Sequence, residues 1–175
     1  MTFPTDFKID EIVAFACGRI AQTLEDRLSP WTDIIKRRVS YQHGLICTIR
    51  KTLSKRMGAR GIQCFAQDPA YTTIDYELLK MHAITTIDDP EGFLMIDDTT
   101  LVISMAPNIP VKGIIAHTAQ PAMIVWDIDN GENTFCTDPT SSRLKEFLDS
   151  SYSRTEFPHD PDNFKDVAMY TKLGS

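Results

Sequence analysis

The chain has 175 residues, 42% of them hydrophobic and 24% charged, a mixture that sits in the globular range and far from that of chains too polar to fold. That length suits one domain with a sizeable core, and no second domain is expected. A formal charge of −6 works against broad nucleic-acid binding, and no stretch approaches the roughly 20 apolar residues that span a bilayer, so neither nucleic acid nor membrane is an expected partner.

The opening Met1-Thr2-Phe3-Pro4-Thr5-Asp6 lacks the charged-then-apolar order of a signal peptide, which makes cytosol or nucleus the expected compartment. Ile12-Val13-Ala14-Phe15-Ala16 is a short apolar run stopping at Cys17-Gly18 and reads as a strand buried on both faces. Residues 22–40 are the least patterned part of the first half, and Pro30 limits any helix crossing them; a lid and a plain connecting loop both remain open. Lys36-Arg37-Arg38 is the main basic run, a solvated loop in one reading and an RNA contact in the other. Near His43 a long helix begins, with Leu45, Ile46, Ile49, Leu53 and Met57 on one face.

Strands are predicted at 62–66, 84–87, 100–105 and 122–126. A helix after Thr72 or Thr73 carries Leu78, Leu79 and Met81, and another follows Pro110 with Val111, Ile114 and Ile115. Asp138-Pro139 reads as an N-cap with proline at the first helical position, opening a helix with Leu144, Phe147 and Leu148 inward. Residues 155–163 read as loop, and 167–170 as a last strand. Buried strands alternating with helices imply an α/β, Rossmann-like fold, with a mainly parallel sheet of five or more strands flanked by helices.

Ligands of such sheets bind beyond the carboxyl ends of the strands, so the strand-terminal residues are the candidates. Gly18 lets backbone approach a ligand, and Asp68, closing the second strand, can accept from a ribose-type diol; a plain turn with a capping Asp is the rival reading. Ala16-Cys17-Gly18 is not G-x-G-x-x-G, so the dinucleotide signal is weak. Tyr41, Gln42 and His43 can point into a cleft as donors or a proton acceptor, with a satisfied structural histidine as the alternative. Asp88, Asp89 and Glu91, with Asp97 and Asp98, offer clustered carboxylates, but Asp-Asp-Pro-Glu-Gly is turn chemistry and no metal site is assigned. The four cysteines, Cys17, Cys47, Cys64 and Cys136, have no C-x-x-C spacing and read as reduced, mostly buried thiols. Nucleophile-elbow, P-loop and HExxH motifs are missing.

From Ile12 to Asp127 the chain resembles the sensitivity-to-red-light-reduced family, especially its fungal members. The likeness rests on Ile12 to Gly18, Gln42-His43, Gln67-Asp68-Pro69-Ala70-Tyr71, Gly92 to Thr100, Ala106-Pro107-Asn108-Ile109-Pro110-Val111, and Pro121 to Asp127. Plant and animal members resemble Gly-Leu-Gly after strand one and Met-Pro-His-Cys after strand four; this chain has Ala16-Cys17-Gly18 and Ala106-Pro107-Asn108-Ile109, so a role needing that His-Cys pair does not carry over. The resemblance implies the fold and links to light and clock signalling in plants, haem regulation in animals and cytoskeletal phenotypes in yeast, without an agreed reaction. The expected function is a regulatory or ligand-sensing protein with Gly18, Gln42, His43, Asp68, Tyr71, Asp89, Pro107 and Asn108 around the cleft. A small-molecule transferase using a nucleotide or S-adenosylmethionine, with Asp68 on a ribose and Asp88 or Asp89 on a base, is the alternative. A protein-interaction module with a vestigial cleft is the third.

Overall fold

A computed structural model describes residues 8–22, 29–57, 61–105, 107–128, 137–158, 160, 162–164 and 166–174; Cys136 and His159 lie outside them. In chain order come β1 (Glu11–Phe15), α1 (Thr32–Met57), β2 (Gln63–Gln67), α2 (Thr73–Met81), β3 (Thr85–Thr86) and α3 (Glu91–Met95). Then follow β4 (Thr100–Ser104), α4 (Val111–Thr118), β5 (Met123–Asp127), α5 (Ser142–Ser151), β6 (Tyr152–Glu156) and β7 (Val167–Lys172). The strands form one sheet in the order β3-β2-β1-β4-β5-β7-β6.

The expected mainly parallel sheet is in fact mixed. β3, β2, β1, β4 and β5 pair in parallel, whereas β7 is antiparallel to both β5 and β6. Antiparallel neighbours need no crossover helix, so the last two strands pair directly across the connection between them. β6 escapes a hydrophobicity reading because Ser153, Arg154 and Glu156 face solvent at the sheet edge.

Burial dictates the centre. β4 is buried at all five residues and β1 at four of its five, which suits continuous apolar strands covered on both faces. One face packs Ile12, Ala14, Leu101 and Ile103 against Ile46 and Leu53 of α1 and Leu79 of α2. The other packs Val13, Phe15, Val102 and Ile124 against Val111 and Ile115 of α4 and Leu144 and Leu148 of α5. The chain therefore leaves β1 towards one face and β4 towards the other, although the two strands are neighbours.

Two helix starts differ from expectation. α1 begins at Thr32, two residues after Pro30, so part of the unpatterned stretch is helix and His43 lies well inside it. At its start Trp31, Ile34 and Ile35 are exposed, so these apolar residues carry no inward periodicity. α5 starts at Ser142 with Ser141 as N-cap, its hydroxyl accepting the Leu144 amide; Asp138 is not that cap. The short α3 falls where Asp-Asp-Pro-Glu-Gly reads as a turn.

Candidate functional site at the carboxyl rim of the central strands

β1 ends at Phe15, and the chain turns through Ala16 and Gly18 with φ of 54° and 77°. The Gly18 amide donates to Asp68 Oδ2 at 2.7 Å, and Asp68 Oδ1 accepts the Ala70 amide at 2.8 Å. Gly18 and Asp68 are thus joined across the ends of β1 and β2, with both carboxylate oxygens already holding internal donors. A Cβ on Gly18 would meet Val39 Cγ2 at 2.7 Å, so its missing side chain serves the close approach of α1.

Beside this pair lies a second carboxylate that sequence reasoning missed. Asp75 is fully buried; Oδ1 accepts the amides of Ile20 and Ala21, both at 2.7 Å, and Oδ2 accepts the amide and hydroxyl of Thr72, both at 2.7 Å. Burial alone would raise its pKa, but these donors, led by the Ala21 amide, hold it below the ordinary value. Thr72 and Asp75 form the capping box of α2, so one side chain caps a helix and fixes the loop after β1. The T-x-x-D spacing was the available signal; its tie to a loop more than fifty residues away was not.

His43 and Tyr71 also meet. The Val39 carbonyl, 2.8 Å from Nδ1, can only accept, so Nδ1 carries the proton and Nε2, 3.0 Å away, takes the Tyr71 hydroxyl hydrogen. Burial lowers the His43 pKa, against the opposing pull of the Val39 carbonyl, Asp68 and Asp75. It raises that of Tyr71, and with the Asp68 charge it pushes the Cys17 thiol up to about 12. None of the three is poised as base or nucleophile, because His43 has no spare lone pair and the thiolate is suppressed.

The remaining predicted residues stand apart from this cluster. Asp89 Oδ1 accepts from Gln67 Nε2 at 2.9 Å, while Gln67 Oε1 takes the Gly92 amide at 2.7 Å, which anchors α3 to β2. Pro107 is buried, its carbonyl accepting the Thr137 hydroxyl, and Asn108 is exposed. Gln42 is buried on the inward face of α1. Among the described residues, no hydrogen bond links Asp89, Pro107 or Asn108 to the Gly18–Asp68 pair.

Residues 4–171 match the family model of the SRR1 domain. The chain belongs to the SRR1 domain family. No curated protein matches it.

In this SRR1 domain the rim holds a cavity of about 220 Å³, lined among others by Arg19, Gln22, Thr32, Ile35, Lys36 and Ser40. It lies beside the loop that Asp68 and Asp75 hold in place, and Arg19 and Lys36 are its charged groups among the described residues. Among the described residues, no three His, Cys, Asp or Glu side chains gather as a metal site, and no helix is long and apolar enough to cross a membrane. A cavity with two cations and several hydroxyl and amide groups can hold an anion; its walls offer no activated nucleophile.

A further charged cluster of the SRR1 domain went unread in the sequence. Lys112, fully buried, points Nζ at Asp127 Oδ2 (3.0 Å) and the Asp138 carbonyl (3.2 Å), while its amide donates to Asp138 Oδ2 at 2.9 Å. Asp138 therefore caps α4 rather than α5, replacing the side-chain cap that Pro110 cannot supply. Burial raises its pKa, opposed first by the Lys112 amide. A lone lysine within Ile109-Pro110-Val111-Lys112-Gly113-Ile114-Ile115 was the visible clue.

Proposed function

We infer that this SRR1 domain is a regulatory or ligand-sensing protein with a Rossmann-like cleft, and that it takes an anionic, nucleotide-like small molecule at the carboxyl ends of β1 and β2. The observation that carries the reading is the cationic cavity beside the β1 loop, next to the point where the chain leaves β1 and β4 towards opposite faces. Open α/β sheets bind ligands at such switch points, where helix amides also favour anions. In this reading Arg19 and Lys36 meet the ligand's charge. Gly18, Asp68, His43 and Tyr71 keep the rim in shape rather than touching it, and Gln42, Asp89, Pro107 and Asn108 belong to the surrounding shell. The Ala16-Cys17-Gly18 and Pro107-Asn108 departures support a place among the fungal members.

A thermal-shift series with nucleoside mono-, di- and triphosphates, S-adenosylmethionine and haem tests it. Ligand at about a hundred times its Kd adds about 2.7 kcal/mol to the folded state, so the melting point should rise with one phosphate-bearing compound. The rise should vanish in Lys36→Glu, an exposed position that gives up a surface ion pair with Asp33 at 3.7 Å, so the variant should still fold. An unchanged melting point across the nucleotides, or an equal rise in the variant, rejects the site.

One observation favours a second reading, a small-molecule transferase. A reversed β7 lies between β5 and β6, an order we read as resembling that of S-adenosylmethionine-dependent methyltransferases. Against it, both Asp68 carboxylate oxygens already accept backbone amides, which leaves them weaker acceptors for a ribose diol. Stabilisation by S-adenosylmethionine alone, followed by turnover of its methyl group, would decide for this reading.

A further inference from the structure

Along one flank of α1, Tyr41, Gly44, Leu45 and Thr48 follow helical spacing and line a groove of about 560 Å³. Opposite them stand Phe157, Pro158, Asp160 and Phe164, from the segment joining β6 to β7. The rings meet steeply: Tyr41 and Phe164 are 6.1 Å apart at 78°, and Phe157 and Phe164 are 5.3 Å apart at 59°. Such edge-to-face contacts pack the three rings against one another and set aromatic surface on both walls of the groove.

Gly44 is the informative residue. A glycine inside a helix costs about 1 kcal/mol relative to alanine, yet no described atom lies within 4 Å of where its Cβ would stand. Its φ is not in the left-handed region. Neither packing against the described residues nor backbone conformation calls for it, and what it leaves open is the floor of the groove.

Asp160 is the one charged group among the described lining residues. Its carboxylate is held ionised, first by the Asn163 side-chain amide at 2.7 Å. Arg37 already stands over the Tyr41 ring, 5.8 Å from its centroid, and pairs with Asp162 at 3.3 Å, so a cation on these rings has a precedent within the molecule.

We propose that this groove binds a small molecule bearing a quaternary or methylated ammonium group, with its methyl groups against Phe157, Phe164 and Gly44 and its charge facing Asp160. Aromatic walls with a nearby carboxylate suit such a cation because its charge is spread over carbon and its hydration is cheap to lose. The groove is separate from the cationic cavity of the proposed anion site and shares only Ser40 with it.

Choline chloride, titrated into the full chain at constant ionic strength, is the probe. Saturable shifts of the Leu45 and Thr48 methyl resonances are expected. The uncharged isostere of choline, with tert-butyl in place of trimethylammonium, should bind about tenfold more weakly, as loss of a desolvated cation–π contact implies. Gly44→Leu should fold with an undiminished melting point, since leucine is the better helix former, and should abolish the shifts. Asp160→Asn, which loses one of the two bonds to Asn163, should still fold and should weaken binding. An absence of saturable shifts, equal affinity for the isostere, or full choline binding by a folded Gly44→Leu overturns the proposal.

Discussion

Ala16 shows how a single residue can be at odds with its backbone. Its φ of 54° lies in the left-handed region, where a Cβ costs about 1–2 kcal/mol. Ala16→Gly should therefore stabilise the protein, by about 0.5–1 kcal/mol once the extra unfolded-state entropy of glycine is subtracted. Urea unfolding would show a raised midpoint at unchanged m-value. A lowered midpoint would mean that the Ala16 methyl contributes more by packing than it costs in conformation. At this scale the sequence was partly legible. Gly18 and Asp68 stood out because glycine and aspartate have few reasons to end a strand. What Gly18 makes room for, the Val39 side chain, lies twenty-one residues on and leaves no mark nearby.

Elements of this fold are held together by carboxylates that reach across sequence. Asp75 closes the capping box of α2 and also takes the Ile20 and Ala21 amides, coupling a helix start to the loop after β1. Asp75→Ala should cost about 3 kcal/mol or more, combining a lost cap of about 1 kcal/mol with two amides left without their acceptor at about 1–3 kcal/mol each, partly relieved by water. Hydrogen exchange at Ile20 and Ala21 should accelerate ahead of the sheet amides. Unchanged protection there would show that the loop is held by other contacts. α2 and α4 were readable because a Thr cap and a proline mark their starts within a few residues. The start of α1 was not, because the apolar Ile34 and Ile35 are exposed and give no inward stripe.

For the whole molecule, the buried His43 couples stability to pH. Its native pKa lies below the ordinary histidine value of 6.5, so the unfolded chain binds the proton first as pH falls. Its contribution is complete above about pH 7 and is lost as pH drops below 6.5 towards the native pKa, with a slope of at most about 1.4 kcal/mol per pH unit. Unfolding free energies measured from about pH 7.5 to pH 5 should show this loss in the wild type and a flatter profile in His43→Gln. Parallel profiles in the two proteins would mean that other groups set the acid sensitivity.

Local pattern alone determined that strands and helices alternate, where the central strands lie and which residues close them, because apolar runs and helix-start chemistry act over a few residues. Strand order, the reversed β7, the pairing of Gly18 with Asp68 and His43 with Tyr71, and the burial of Lys112 between Asp127 and Asp138 were decided only by tertiary structure. Such contacts join distant segments, and their stabilisation comes from satisfying polar groups that burial has removed from water, a demand that does not exist until the chain has folded.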